Sequence, residues 1–285
     1  MEITSPSAAN AMEDQVVEFQ GIATLFQVFD EILKQGNDFV IVKNVSQINY
    51  NGIDKERERR RRKFRFFFQA KERQLRVTLA SGPHELTHAG IFYTIRTNMV
   101  SPSRMPPWYP CAATTYKSPD GTSSKEGDSG GFPGGGDTSG GDARWPALAI
   151  ECGASQSLAS LHAAMRWWFW ASDHRVKIVL AVKLHRSRQI MVIEKFVEES
   201  VAIPRLGATA TRSSAALPHL QPVLQQTITM APVPDSNPVK YRATSGALVL
   251  AFELLYRRAP GPSPGERDVV VPESELEALA GYVWD

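Results

Sequence analysis

Cysteine is nearly absent from this chain: Cys111 and Cys152 are the only two among 285 residues. That argues against a disulfide framework and suits a reducing compartment. No apolar run is long enough to span a bilayer, and no N-terminal stretch has the basic-then-apolar layout of a secretion signal. The expectation is an intracellular protein, cytoplasmic or nuclear, with no membrane partner. An excess of charge is missing too, since 32 Lys and Arg against 30 Asp and Glu leave a net charge of +2. The molecule as a whole is therefore not an obvious polyanion binder, and any basic patch must be local. There is no internal repeat. What is present is apolar content, 42 % of the chain, enough at this length for one large domain or two small ones.

The stretch from Trp145 to Lys195 organises the rest. Ala147–Cys152 is a short, nearly continuous apolar run, as expected of a strand buried on both faces. Its one ionisable residue, Glu151, stands at the C-terminal end. Gly153 breaks the strand, and Ser155 or Ser157 can cap a helix over Ser155–Ser172 whose buried stripe is Leu158, Leu161, Met165 and Trp168. Val176–Leu184 alternates as a strand, Arg186-Ser187-Arg188 turns the chain, and Gln189–Val197 returns. A carboxylate at the end of a core strand beside a helix start is a common place for chemistry in mixed sheets. The competing reading is a structural Glu paired with an Arg, because buried charges are nearly always paired.

Elsewhere, Met1–Asp14 is polar and small, a disordered start. Val16–Gln35 reads as a helix with an apolar stripe of Phe19, Ile22, Phe26, Phe29 and Leu33. Phe39–Val42 and Leu75–Ala80 read as strands. Lys55–Lys63 is a charge run followed by Phe64-Arg65-Phe66-Phe67-Phe68. Its basic part, Arg59, Arg60, Arg61, Arg62 and Lys63, can contact nucleic-acid phosphates while aromatics stack on bases, or can serve as a nuclear-import signal. The alternative is a solvated hairpin arm leading into a strand whose phenylalanines are core. Ser101–Asp142 is a Pro- and Gly-rich insertion. After Ser200 a linker runs to Pro222. The part from Leu224 holds a strand to Met230, an apolar run within Tyr241–Tyr256 that reads as strand or short helix, and a closing helix over Pro272–Trp284. It has too few apolar elements to stand alone and is expected to pack on the same core.

Pro83–Met99 looks helical, with Pro83 in its first turn. It opens with His84-Glu85-Leu86-Thr87-His88, the H-E-x-x-H string in which two histidines one turn apart hold zinc and the Glu acts as base. As a metalloprotease signature the string is incomplete. It falls in the first turn after Ser-Gly-Pro, no His or Glu follows between Ala89 and Lys125, and the extended form with a Gly and a third His is absent. The alternative makes His84 and Glu85 exposed first-turn residues, with Glu85 favoured by the helix dipole.

A resemblance joins several of these pieces. Ser-Lys-Glu-Gly-Asp-Ser (124–129), the run from Trp145 to Leu158, Arg-Trp-Trp (166–168), Val-Lys-Ile-Val-Leu (176–180) and Ile-Glu-Lys-Phe (193–196) together resemble a group of uncharacterised fungal proteins. That group in turn is similar to a diverged branch of the PD-(D/E)xK, or restriction-endonuclease-like, nuclease superfamily. The resemblance is best over Thr115–Val197. It implies Asp128 and Glu151 as metal ligands, Mg²⁺ or Mn²⁺ as the cofactor, and DNA or RNA as the substrate. Magnesium held by hard carboxylates neutralises phosphoryl charge and activates a water. The superfamily's final Lys would fall at Gly153, a departure, and Arg166 on the following helix is the best match for a displaced basic residue. Arg can clamp a phosphate but stays charged and is a poor proton acceptor. Two functions follow: a metal-dependent nuclease with Asp128, Glu151 and Arg166 as its site, or a nuclease fold that no longer cuts and serves as a binding or scaffold module.

The fold expected is α/β (α+β): one central mixed sheet of Leu75–Ala80, Ala147–Cys152, Val176–Leu184 and Gln189–Val197, flanked by the helices Val16–Gln35, Pro83–Met99 and Ser155–Ser172, in a restriction-endonuclease-like core.

Overall fold

The structure is a computed structural model that describes residues 13–99, 107–111, 114–134, 145–201, 219–262 and 265–285. In chain order it opens with Val16–Glu18 (β1), Ile22–Lys34 (α1), Phe39–Lys43 (β2), Gln47–Arg59 (α2), Phe64–Gln69 (β3), Gln74–Leu79 (β4) and Gly82–Asn98 (α3). Four short strands follow: Trp108–Pro110 (β5), Thr115–Lys117 (β6), Ser123–Glu126 (β7) and Ser129–Pro133 (β8). The centre is Leu148–Gly153 (β9), Leu158–Ala171 (α4), Ile178–His185 (β10) and Ile190–Val201 (β11). The chain closes with His219–Pro232 (β12), Tyr241–Ala243 (β13), Leu248–Leu250 (β14), Phe252–Tyr256 (α5), Val269–Val271 (β15) and Glu273–Trp284 (α6).

The α/β architecture is as expected, but the strands divide into two large sheets instead of one. The first runs β1-β2-β4-β3-β7-β6 and the second β13-β12-β11-β10-β9-β8-β5, with β14-β15 as a separate pair. Leu75–Ala80 therefore belongs to a different sheet from Ala147–Cys152. Both large sheets are mixed: β1 with β2 and β9 with β10 are parallel, and the remaining pairs are antiparallel. The chain crosses from one sheet to the other between β7 and β8, at Gly127-Asp128.

Each sheet has its own core. Phe26, Phe29 and Ile32 of α1 pack with Val40, Phe66, Phe68, Leu75 and Val77 on the first sheet. On the second, one face carries Ile150, Leu180, Val182, Ile193 and Ile228 against Ile91 and Ile95 of α3. Leu248, Leu250, Phe252, Leu255, Leu276 and Leu279 share that cluster, so the C-terminal elements complete the same core. The other face, with Ala149, Val179 and Ala181, meets α4 in a third cluster that also takes Phe67 from β3 and Tyr116 from β6. Helix α4 thus lies between the two sheets. Of the two candidate caps, Ser155 and Ser157, it is the Ser157 hydroxyl that accepts from the Ser160 N–H.

Several boundaries differ from the sequence expectation, each for a local reason. The first helix starts at Ile22 and not Val16, because Gly21 adopts φ +142° and ends an extended segment that pairs with β2. Of the charge run, residues 55–59 form the end of α2 and residues 60–63 the turn into β3, so the run is not a hairpin arm. Residues 1–12 of the expected disordered start lie outside the described residues. Asp14 is held, accepting from the Ser157 N–H and hydroxyl. The expected insertion contributes the strands β5 to β8, all hydrogen-bonded into the two sheets. In β8 a Cβ on Gly130 would sit 2.5 Å from the Leu148 carbonyl, and one on Gly131 would strike the Trp108 indole. Those glycines permit close strand approach. The expected linker is strand at both ends, since β11 reaches Val201 and β12 begins at His219; residues 202–218 lie outside the described residues. Leu158, expected in the buried stripe of α4, is exposed at the cavity lined by Ser155, Lys183 and Arg188. No described helix is long and apolar enough to cross a membrane.

Candidate functional site

The crossing at Gly127-Asp128 brings Asp128 to Glu151. Strands β8 and β9 pair antiparallel with Ser129 opposite Ile150, so one step further along that register puts Asp128 opposite Glu151. A Cβ on Gly127 would lie 2.8 Å from the Trp168 ring and 3.8 Å from Glu151 Oε1, so only glycine fits this joint. The two acids named from the sequence are thus neighbours, and both are buried, their side chains 4 % and 6 % exposed.

Neither carboxylate is bare. Glu151 Oε2 is 2.7 Å from Lys125 Nζ, and Oε1 accepts from the Trp168 indole N–H at 2.6 Å. Asp128 Oδ2 accepts from the Cys152 backbone N–H at 2.8 Å and lies 3.2 Å from His84 Nε2, while Oδ1 is 3.4 Å from Arg65 Nε. Burial pushes the Glu151 carboxyl up, and the Asp128 charge adds to this against Lys125. Burial acts in the same direction on Asp128, but His84 and Arg65 outweigh it and hold that carboxyl well below its usual range. Burial lowers the His84 pKa; Asp128 and Glu85 outweigh it and push the ring up to about 10.

The network continues onto α3. Arg65 donates both terminal nitrogens to the Glu85 carboxylate, and one of them is 3.3 Å from His88 Nε2. His84 Nδ1 is 3.2 Å and His88 Nε2 is 3.3 Å from Glu85 Oε1. His88 Nδ1 is 2.8 Å from the Ser129 hydroxyl. The H-E-x-x-H residues are therefore assembled, and His84 is fully buried rather than exposed. On the far face of β7, Glu126 makes a bidentate pair with Arg57 at 2.6 and 2.9 Å. Alternation along β7 thus serves two ion pairs, Lys125 toward α4 and Glu126 toward α2.

Arg166 is not part of this centre. It is exposed and lines a surface depression with Gln69, Lys71, Arg76 and Trp170. The cation beside Glu151 is Lys125. Lys183 stands in register beside Gly153, but its ammonium donates to the carbonyls of Ala154 and Gln156 and braces the turn before α4. Arg65, Lys125 and Trp168 received no site role from the sequence. One signal existed for Arg65: alternation in β3 sets Arg65 and Phe67 on the face opposite Phe64, Phe66 and Phe68. Lys125 gave none, since a lysine within Ser-Ser-Lys-Glu reads as solvated.

Among the basic run, Arg59 and Arg60 pair with Glu56, and Arg62 pairs with Asp30. Arg61 and Lys63 are exposed, with no ion-pair partner among the described residues.

The residues at Asp128 and Glu151 do not fit magnesium or manganese as they stand. Such an ion needs carboxylate oxygens turned to a space that also holds several of its waters. Here each of the four oxygens already faces a protein donor or cation. The space between Arg65, Lys125, Glu126 and Glu151 is about 10 Å³, room for one water at most. Against known proteins, no family model matches the chain and no curated protein matches its sequence.

Proposed function

We propose that this chain has a restriction-endonuclease-like core that binds nucleic acid without cutting it, its acidic centre converted into a buried network of ion pairs. The observation that carries this reading is the closure of that centre: Lys125 occupies Glu151 while Arg65 and His84 occupy Asp128. In support of the core assignment, Asp128 immediately precedes β8 and Glu151 lies on its neighbour β9 beside α4, and β9 runs parallel to β10 across that helix. DNA or RNA contact falls to the basic run, where Arg61 and Lys63 have no ion-pair partner among the described residues and Arg59, Arg60 and Arg62 can trade a carboxylate for a phosphate. An intracellular setting, cytoplasmic or nuclear, accords with two free thiols.

The test is calorimetry with Mg²⁺ on the wild type and on Glu151→Gln, run beside cleavage assays on DNA and RNA. The expected result is no saturable binding and no cleavage by either protein. Saturable binding that disappears in Glu151→Gln, together with cleavage, would instead support the active nuclease. One observation favours that second reading: the opposed acid pair with a lysine at hand is the donor set the reaction needs once the network opens. Nucleic-acid binding is checked by a salt titration. Replacing Arg61 and Lys63 with Ala is expected to weaken binding to all sequences alike and to flatten the salt slope by about two.

A further inference from the structure

The first two turns of α3 carry a second constellation, joined to the acidic centre through His84. We propose that His84, Glu85 and His88 form a binding site for a divalent transition-metal ion, zinc being the cation whose ligand preferences they match. One ligand atom from each residue lies within 4.8 Å of the other two. Two imidazoles and one carboxylate are the borderline donors zinc prefers.

Two of the three spacings match a coordination shell. Ligand bonds of about 2.0–2.1 Å in a tetrahedral set place neighbouring ligand atoms about 3.3 Å apart. His84 Nδ1 and His88 Nε2 stand 3.2 and 3.3 Å from Glu85 Oε1, which makes that oxygen the shared corner of two such edges. Both imidazoles are also held from behind, as metal-bound histidines are. His84 Nε2 lies 3.1 Å from the Cys152 carbonyl and 3.2 Å from Asp128 Oδ2, and His88 Nδ1 lies 2.8 Å from the Ser129 hydroxyl. Asp128 then serves as the positioning carboxylate of a histidine ligand. Glu85 is the solvent-facing member, its side chain 41 % exposed at the groove between α3 and α6, so an ion can enter and keep a water as a further ligand.

This is not the protease arrangement of the same five-residue string. There the two imidazoles hold the zinc and the glutamate acts as a base instead of a ligand. Here His84 Nε2 is turned inward and Glu85 is a ligand. Arg65 is the competitor: its guanidinium lies on Glu85 and beside His88. It need not be stranded when a metal arrives, because its Nε keeps the contact with Asp128.

The experiment loads the full-length, untagged chain with Co²⁺ and with Zn²⁺ after chelator treatment. Bound metal is counted by mass spectrometry and the cobalt visible spectrum is recorded. One equivalent is expected, with tetrahedral cobalt bands that zinc displaces and no thiolate charge-transfer absorption. Glu85→Gln and His88→Asn are expected to lose the bands, and Ser129→Ala to weaken binding about tenfold. Arg65→Met is expected to strengthen binding, the opposite of what a purely structural ion-pair cluster would give. Failure of the wild type to take up metal overturns the proposal. So does uptake unchanged in Glu85→Gln, the half-exposed position whose variant best preserves the fold, as checked by circular dichroism. Neither result bears on the closure of the Asp128–Glu151 centre, which the magnesium titration reads separately.

Discussion

Removing the Lys125 ammonium would leave the Glu151 carboxylate with the Trp168 indole as its remaining hydrogen-bond donor, in a space that admits no more than one water. An uncompensated buried charge of this kind costs about 3–5 kcal/mol. Lys125→Met is therefore expected to lower the unfolding free energy by that amount in urea titrations. Adding Glu151→Gln removes the stranded charge while keeping an acceptor for the indole, and should restore most of the loss. Strictly additive losses in the two single variants and the double would show that the pair is uncoupled. His84 gives a second test at this scale. Its ring faces Asp128 and Glu85, with Arg65 the opposing cation, and its pKa stands at about 10 against an ordinary 6.5. A raised pKa means stability fully present below pH 6.5 and lost as pH climbs through about 10. In chelator-treated protein, thermal melts should show the wild type losing ground to His84→Gln across that window. Parallel profiles would mean that the ring carries no charge in the folded state.

The glycine before Asp128 shows what an element demands of its neighbours. Helix α4 presses Trp168 against the crossing between β7 and β8, and a methyl group on Gly127 would meet that ring at 2.8 Å. The indole is fully buried and tied to Glu151, so it has no room to swing away. Overpacking of this kind costs about 1–3 kcal/mol, and Gly127→Ala is expected to lower the melting temperature accordingly; an unchanged melt would show that the joint is loose. The same joint marks where the sequence was readable. The strand at Leu148–Gly153 and the helix after it were legible, because a continuous apolar run, a glycine and a serine cap are local signals. Asp128 and Glu151 could be named as a pair only through the family resemblance, not from a local pattern. The strand Ser129–Pro133 was not legible, because Gly-Gly reads as loop until Trp108 and Leu148 are known to lie against it. Nor was the cation at Glu151. Arg166 is nearer in sequence and in the helix that follows, whereas Lys125 reaches the site through a register no local pattern encodes.

The division into two sheets raises the question of what makes the molecule unfold as one body. Helix α4 is part of the answer, since Phe67 and Tyr116 of the first sheet and Ala149 and Val179 of the second pack on it. Asp38 is the rest. It stands immediately before β2 of the first sheet and is almost fully buried. Its carboxylate accepts from the Ser155 N–H and hydroxyl in the turn after β9, from Arg186 after β10, and from Ser81 before α3. Ser155 in turn accepts from the Asp38 backbone N–H at 2.7 Å. One side chain thus fastens the start of β2 in one sheet to the ends of two strands in the other. Hydrogen bonds to a charged group contribute about 1.5–3 kcal/mol each where they are buried. Their loss in Asp38→Ala falls on the junction, leaving either core intact. The wild type is expected to unfold in a single transition, with far-ultraviolet dichroism and the fluorescence of the α4 tryptophans coinciding. In Asp38→Ala the two signals should separate, the fluorescence changing first as the sheets part around α4. Coincident transitions in the variant, merely shifted to lower denaturant, would mean that the α4 aromatic cluster couples the sheets unaided.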